Sequence, residues 1–221
     1  MGQLMRLCAE NQWPTGSITD RIFDWKGDIT PAAQSVPLRL AGALHALVLQ
    51  GHAGLAAVYP PNQTEDTVLW DAIIDTFRSD EAHLHAWLDS APQTNEVRRS
   101  AVLIAVGHLL MDRFGVPIRT SELGASGGLN LHWDAYGMVL EGQSFGAQTP
   151  ALTLTPDWTG PLPPATPPKI IDRAGVDLNQ LDPSNPDHAL RLQAYLWPDQ
   201  PERLSLTRSA IAAATTPDAQ G

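Results

Sequence analysis

The stretch that decides the fold is V-P-I-R-T-S-E-L-G-A-S-G-G-L-N, from Val116 to Asn130. A short apolar run ends in the acid Glu122, and three glycines follow it, Gly124, Gly127 and Gly128. An amphipathic pattern resumes at residue 129, so the order indicates a strand, a tight turn and the start of a helix. Glycine is required where the backbone takes a positive φ or where a ligand touches it. The start of a helix would also direct free N–H groups into the same space, and nucleoside and dinucleotide sites on open α/β sheets are built in this way.

The spacing of these glycines distinguishes two kinds of nucleotide site. Gly124 is followed by Ala125 and Ser126, so the dinucleotide pattern G-x-G-x-x-G does not occur here. The stretch is closer to E/D-x-G-x-G-x-G, the pattern of class I S-adenosylmethionine-dependent methyltransferases, with Ser126 in place of the middle glycine. Ser126 and Asn130 could both donate hydrogen bonds to a ligand at the turn. The alternative is a turn that only lets a helix pack closely on its strand, because short glycine patterns recur by chance.

A second acid, Asp177, follows the strand predicted for Lys169 to Val176. In a nucleoside-binding sheet, an acid at the end of the next strand accepts hydrogen bonds from the ribose hydroxyls. Asp177 lies 53 positions after Gly124, whereas the usual gap is ~20, so residues 136–168 would be an insertion. The alternative is a surface aspartate that begins a turn. The predicted ligand-binding residues are Glu122, Gly124, Ser126, Gly127, Gly128, Asn130 and Asp177.

The segment Q-T-N-E-V-R-R-S, Gln93 to Ser100, places several polar groups at the start of a helix. One interpretation is a helix cap, with Glu96 at the positive end of the dipole and both arginines in solvent. The other is a polar cluster of Asn95, Glu96 and Arg99 that faces the glycine loop. Composition alone favours the cap.

The sequence indicates no metal site and nominates no catalytic residue. His83 and His85 are two positions apart and would diverge on a helix, and the zinc motif H-E-x-x-H does not occur. Cys8 is the only cysteine, which excludes an internal disulfide and a cysteine-built metal site. Ser126 lies in G-A-S-G-G, a shortened form of the hydrolase elbow G-x-S-x-G, so a hydrolase is only weakly indicated.

The charge and the apolar runs limit the partners and the compartment. The formal charge of −10 argues against a nucleic-acid backbone or an anionic membrane as the main partner. The sequence contains no apolar run of the ~20 residues that a membrane span needs. The first residues lack the basic region and long apolar core of a secretory signal. The expectation is a cytoplasmic protein with a small-molecule ligand.

The periodicity predicts two domains. Up to residue 115 the apolar residues repeat at helical spacing, as from Leu38 to Gln50, and proline and glycine separate the segments. Residues 1–115 are therefore predicted to be an all-helical domain. Residues 116–221 are predicted to be a partial Rossmann-like α/β domain, with an inserted β-hairpin and a proline-rich loop at 136–168.

Four groups of segments resemble an uncharacterised bacterial family, domain-of-unknown-function family 2332. They are L-H-A-L-V-L-Q-G with V-Y-P-P, Q-T-N-E-V-R-R-S, E-L-G-A-S-G-G-L-N-L, and R-A-G-V-D-L-N-Q-L-D-P with L-W-P-D-Q-P-E-R. The resemblance implies a helical N-terminal domain joined to a methyltransferase-like α/β domain, and it implies no established reaction. Members of the family continue well past residue 221, so the resemblance also implies that this chain carries a truncated sheet.

Two functional hypotheses follow. The first is an S-adenosylmethionine-dependent methyltransferase, or its remnant, whose acceptor substrate and catalytic base the sequence does not identify. The second is a non-catalytic binding or oligomerisation module that retains a methyltransferase-like sheet.

The strand from Val116 to Leu123 would expose one edge in a truncated sheet. We therefore expect either self-association through the α/β part or coverage of that edge by the chain's own hairpin.

Overall fold

The computed structural model describes residues 1–216 and contains two compact units. The first, called unit 1 here, consists of Met1–Gln93 and the short segment Gln193–Pro201. The second, called unit 2, consists of Thr94–Leu192 and the chain from Glu202 onward. The two domains predicted at residues 1–115 and 116–221 stay a prediction. The contacts within the structure group residues 94–115 with unit 2.

Unit 1 is built from helices around a central one. The helices of residues 1–93 are α1 (Gly2–Glu10), α2 (Ser17–Phe23), α3 (Val36–Leu49), α4 (Ala53–Ala56), α5 (Asp66–Ser79) and α6 (Glu81–Leu88). Helices α5 and α6 are separate and meet at Asp80. Helix α3 begins two residues earlier than predicted, because Pro37 fits the first turn, where a missing N–H costs nothing.

The core of unit 1 forms on helix α3, which is apolar around most of its circumference. Ten of its fourteen residues are buried, and it packs against α4 and α6. A helix with apolar residues on most faces is expected at the centre of a bundle. The segment Gln193–Pro201 completes this core: Tyr195 lies against Gly42 so closely that a Cβ at position 42 would have no room, and Nδ1 of His45 lies 3.0 Å from the carbonyl oxygen of Ala194.

Unit 2 mixes helices with small sheets. It contains a 3-10 helix at Val97–Arg99, α7 (Ser100–Phe114), β1 (Ile118–Leu123), a second 3-10 helix at Leu129–Ala135, β2 (Gly137–Leu140), β3 (Gln143–Gly146), β4 (Thr153–Leu154) and β5 (Ile170–Val176). Two more helices follow, α8 (Pro186–Ala194) and α9 (Pro201–Ala214), of which a few residues belong to unit 1. The architecture of α-helices with small β-sheets confirms the coarse α+β prediction.

The strands form two separate sheets. Strands β1 and β5 pair in parallel, as predicted for the two strands that flank the site. Strands β2 and β3 form the predicted hairpin, and its turn has positive φ at both Glu141 and Gly142, as a type I′ turn requires. Strand β4 adds to β2 in parallel, so the sheet order is β3-β2-β4. Within residues 1–216 this hairpin does not pair with β1. The expectation of self-association or of a hairpin folded over the β1 edge stays a prediction.

A continuous apolar core joins the parts of unit 2. It contains buried side chains from α7, the hairpin, the 3-10 helix after the glycines and α9, among them Ile104, Trp133, Met138 and Ala210. The opposite stripe of α7 is also apolar but exposed, at Val102, Val106, Leu109, Leu110 and Phe114. Helix α7 is therefore apolar on two faces, of which unit 2 covers one.

Candidate functional site

The candidate site lies where the carboxyl ends of two parallel strands meet. The register pairs Glu122 of β1 with Gly175 of β5, and Leu123 with Val176. The glycine loop, residues 124–128, follows the first strand, and Asp177 follows the second. The prediction that Asp177 lies on the neighbouring parallel strand, beside Gly124, is confirmed. The long spacing in sequence is the hairpin and the proline-rich loop, which form other parts of unit 2.

The glycine loop turns by means of three left-handed residues. Gly124, Ser126 and Gly128 have φ values of 74°, 53° and 68°. Gly127 has a different reason to be glycine, because a Cβ there would lie 2.7 Å from Cδ1 of Leu192. The prediction that Glu122 lies at a strand end, with Gly127 or Gly128 at positive φ or in close backbone contact, is confirmed by Gly128.

The helix after the loop differs from the prediction. Residues 129–135 form a 3-10 helix interrupted at His132, whose φ and ψ are −95° and 18°. A short, kinked helix of this kind provides little of the aligned dipole that an α-helix would direct at a ligand. The expectation that the dipole of an α-helix contributes to the site is therefore wrong.

The N–H groups of the loop are mostly used within the protein. Five of the six N–H groups from residues 124 to 129 donate to protein acceptors. Those of Gly124 and Ala125 donate to the carbonyl of Val176. The N–H of Ser126 donates to Asp177, that of Gly128 to the carbonyl of Ala125, and that of Leu129 to Asn95. A phosphate-binding loop instead directs its N–H groups at the ligand. This loop is consequently closed by its own hydrogen bonds and is unsuited to hold a pyrophosphate.

Asp177 fastens the loop to the end of β5. Its Oδ2 accepts a hydrogen bond from the N–H of Ser126 at 2.8 Å, and its Oδ1 accepts one from the N–H of Asn179 at 2.8 Å. These bonds, that from Asn179 first, lower the pKa of the carboxyl group below its ordinary value. A carboxylate oxygen can accept two hydrogen bonds, so a carboxylate is able to hold a loop and to accept from other donors as well.

Two buried oxygen atoms at the loop have no hydrogen-bond partner within the described residues, Oε2 of Glu122 and Oγ of Ser126. Burial raises the pKa of Glu122, although a hydrogen bond from Asn130 and the positive charge of Arg99 act in the opposite direction. A buried polar atom without a partner costs about 1–3 kcal/mol. Such a cost at a strand end, beside a glycine loop, is typical of a site that a ligand completes.

The amide side chains behind the loop hold it in place. Oδ1 of Asn95 accepts from the N–H of Leu129 at 2.9 Å, and the hydroxyl of Ser100 donates to Oδ1 of Asn130 at 2.8 Å. Both asparagines are buried. Oδ1 of Asn130 is thus engaged by Ser100, which leaves its amide nitrogen for Glu122.

The predicted polar cluster of Asn95, Glu96 and Arg99 points in two directions. Asn95 binds the loop and Arg99 acts on Glu122 through its charge. Glu96 instead caps the 3-10 helix, where it accepts from the N–H of Arg98 at 3.2 Å, and it forms ion pairs with Arg98 and Arg203. The cap interpretation and the cluster interpretation therefore each describe part of this segment.

Sequence reasoning missed several residues that shape the site. A Cβ at Gly175 would lie 2.8 Å from both the Cβ of Ala125 and Cδ1 of Leu131, so glycine on β5 lets the loop approach the strand. Ser100 and Arg203 support Asn130 and Glu96. The R-A-G-V-D segment did carry a signal for Gly175, since a glycine inside a strand often marks close backbone approach.

Neither a metal centre nor a serine nucleophile is supported by the described residues. Within residues 1–216, no three histidine, cysteine or acidic side chains converge as ligands for a metal ion. The hydroxyl of Ser126 has no partner there that could serve as a general base, and a serine hydroxyl is a weak nucleophile without one. The weakly indicated hydrolase thus gains no support.

Within the described part of the chain, no helix is both long enough and apolar enough to cross a membrane.

Comparisons with known proteins give a family and no further relative. No curated protein and no solved structure matches the chain. The family described as "Uncharacterized protein conserved in bacteria (DUF2332)" matches over residues 1–220. The chain belongs to this family of uncharacterised bacterial proteins.

Proposed function

We propose that the glycine loop of unit 2 binds S-adenosylmethionine, and that unit 2 is part of a Rossmann-like, methyltransferase-like domain. The observation that carries the proposal is that, within the described residues, the buried Oε2 of Glu122 and Oγ of Ser126 have no hydrogen-bond partner, at the carboxyl end of β1, which pairs in parallel with β5. Ligands of open α/β sheets bind at this edge of the sheet.

The loop favours a nucleoside without a pyrophosphate. Its N–H groups are engaged by Val176, Asp177, Ala125 and Asn95, so the loop offers acceptors and hydroxyls to a ligand rather than a cradle of donors. The carboxylates of Glu122 and Asp177 suit a ligand with hydroxyl groups and a positive charge. S-Adenosylmethionine carries ribose hydroxyls, an ammonium group and a sulfonium centre, and it has no phosphate.

The residues of this chain would bind and orient the ligand. Glu122 would face a cationic group, because a charge partner offsets the cost of keeping its carboxylate buried. Asp177 would accept from ribose hydroxyls, and the hydroxyl of Ser126 would form a hydrogen bond with the ligand. Bound S-adenosylmethionine would supply an electrophilic methyl group, and the acceptor substrate and the catalytic base are unassigned.

Calorimetric titration of S-adenosylmethionine into the full chain tests the proposal. We expect saturable binding at one site, and we expect Glu122→Gln and Ser126→Ala each to weaken it at least tenfold. Asp172→Asn is the matched control, because Asp172 lies on the same strand as the site but is exposed and away from the loop. Absence of binding by the unaltered chain, or equal binding by Glu122→Gln and the control, would contradict the proposal.

The second candidate function, an oligomerisation module, is favoured by a different observation. Strand β1 pairs only with β5 within residues 1–216, and Leu123, Val176 and Leu178 at the strand ends are exposed. Parallel strands are normally covered on both faces. We propose that a second copy of the chain covers this surface, by strand addition to β1 or by packing on the exposed stripe of α7.

A further inference from the structure

A cavity of about 310 Å³ lies within unit 1, between helices α1, α2 and α3. Thirteen residues line it, and all belong to the first 44 residues of the chain. Unit 1 contains none of the glycine-loop residues, so the cavity is separate from the site described above.

The lining is apolar and uncharged. Twelve of the thirteen residues have aliphatic, aromatic, proline or methionine side chains, and the thirteenth is Cys8. Trp13 contributes one polar atom, but its indole N–H donates to the carbonyl of Cys8 at 2.8 Å and is thereby satisfied. Burial raises the pKa of the Cys8 thiol to about 11, so the thiol is neutral at pH 7. A charged or strongly polar ligand would lose its hydration here and gain no partner.

The size of the cavity sets the size of the occupant. An apolar cavity of ~150 Å³ in a protein interior stays dry and accepts benzene. The cavity of unit 1 is about twice as large, which corresponds to a two- or three-ring aromatic molecule or to a chain of roughly ten carbon atoms. It also falls within the ~300–1,000 Å³ that is typical of ligand pockets.

The cavity has a mouth and firm walls. Leu4, Val36 and Leu44 are buried and fix its inner wall. Phe23 and Ile29 stand at the outer side with 67% and 43% of their surfaces exposed, which is unusual for large apolar residues that could pack inward. Phe23 contacts the ring of Trp13 edge-on, with the ring centroids 5.3 Å apart. Apolar side chains therefore continue from the cavity to the solvent and provide a path for an apolar molecule.

From this geometry we infer that unit 1 binds one small, neutral, apolar molecule between α1, α2 and α3. The inference does not depend on the function proposed for unit 2. The ligand contacts the only thiol of the chain, Cys8, so occupancy of the cavity can be followed at a single atom.

The first experiment uses 1-aminoanthracene, a neutral fluorescent probe, with the full chain at pH 7. We expect saturable binding at one site per chain. Ala9 of α1 lines the cavity at its exposed side, and Ala9→Phe places a ring at the mouth, so we expect binding to weaken at least tenfold. Ala82→Phe is the matched control, since Ala82 is an exposed alanine of α6 outside the cavity, and its binding should equal that of the unaltered chain. Equal affinity of the two variants, or no binding by the unaltered chain, would overturn the inference.

The second experiment needs no variant and distinguishes neutral from charged ligands. N-Ethylmaleimide alkylates Cys8, and the intact mass of the chain reports the rate. We expect saturating 1-decanol to slow alkylation at least tenfold. Decanoate has a chain of the same length and a carboxylate, and it should protect much less. We expect alkylation in decanoate to be at least tenfold faster than alkylation in 1-decanol. Equal protection by the two molecules, or no protection by 1-decanol, would show that the cavity does not select a neutral apolar occupant.

Discussion

Position 175 tolerates no side chain, because three parts of unit 2 meet at this point. A methyl group there would lie 2.8 Å from both the Cβ of Ala125 in the glycine loop and Cδ1 of Leu131 in the 3-10 helix. Ala125 is held by its N–H bond to the carbonyl of Val176 at 3.1 Å, so it cannot withdraw without opening the loop. The strand and the glycine loop therefore depend on each other for their positions.

We expect Gly175→Ala to lower the free energy of unfolding by about 1–3 kcal/mol, the usual cost of overpacking. Chemical denaturation of the purified chain measures this change. Gly54→Ala serves as the control, because a Cβ at Gly54 would meet only Cε1 of His52, at 3.8 Å, and the residue lies in α4. Equal stability of the two variants would show that the loop can move away from the strand.

Glu122 provides a second test at the level of one residue, because its pKa is raised in the folded state. A carboxyl group with a raised pKa contributes stability that is complete below its unfolded pKa and is lost as the pH rises through its folded pKa. At pH 7.5 the buried carboxylate is thus unfavourable. We expect Glu122→Gln to be more stable than the unaltered chain at pH 7.5, and the difference to shrink as the pH is lowered towards 4.5.

Denaturant titrations at the two pH values measure this difference in the free energy of unfolding. A Glu122→Gln variant that is less stable at pH 7.5 would mean that the charge of Arg99 outweighs the burial of the carboxylate. Combined with weaker ligand binding, a stability gain would indicate that Glu122 is retained for binding at a cost to the fold.

The residues of the site were predictable to different degrees. Glu122 and the glycines are local features, since a strand that ends in an acid and a glycine turn is visible in fifteen consecutive letters. Asp177 was predictable only by allowing an insertion. Gly175 was not, because its role depends on which strand pairs with β1 and on how closely the loop approaches it.

Among the elements, helix α7 is joined to the hairpin and the proline-rich loop by one side chain. Nδ1 of His108 lies 3.0 Å from the carbonyl of Pro164, and Nε2 of His108 accepts from the N–H of Gly146 at 3.0 Å. The imidazole must be neutral to accept at Nε2 and donate at Nδ1. Burial lowers the pKa of His108. Burial also lowers the pKa of His132, which follows the glycine loop in sequence.

We expect the free energy of unfolding to fall as the pH is lowered from 7.5 to 5.5. A histidine with a lowered folded pKa takes up its proton first in the unfolded chain, so its stabilising contribution is complete above ~6.5 and is lost below that pH. His108→Gln keeps one donor and one acceptor but does not titrate, and it should show a flatter pH dependence. An unchanged slope in that variant would exclude His108 as a source of the effect.

The elements themselves were predicted with uneven success. Helix α9 begins at Pro201, where a proline fits the first turn, and it ends at Ala214. The residues after the glycine loop were expected to begin an α-helix and form a 3-10 helix instead. Tertiary contacts decide this: Trp133 is buried in the core, and the hydroxyl of Tyr136 donates to the carbonyl of Leu129 at 2.6 Å. Local propensity does not contain these contacts.

For the whole molecule, the exposed surface of unit 2 predicts association. Val102 and Leu109 of α7 are 62% and 51% exposed, and Leu123 at the end of β1 is 86% exposed. A stripe of exposed apolar residues such as that on α7 marks an interaction surface. We expect light scattering to show a concentration-dependent dimer of the full chain.

A double variant, Val102→Glu with Leu109→Glu, should remain a monomer at the same concentrations, because it places charges on the exposed stripe. Val68→Glu is the control, since Val68 is an exposed valine on α5 of unit 1. A monomer of the unaltered chain at every concentration would refute the self-association hypothesis. A dimer that persists in the double variant would locate the contact elsewhere.

Segment Gln193–Pro201 also has a consequence for how the chain is made. Residues 1–93 leave the ribosome long before this segment does. The surface of α3 around Gly42 therefore stays uncovered until Tyr195 has been synthesised. Nearly all of unit 2 is synthesised in between. The nascent chain therefore carries an incomplete helical bundle through most of its translation, and a chaperone has that whole interval in which to bind it.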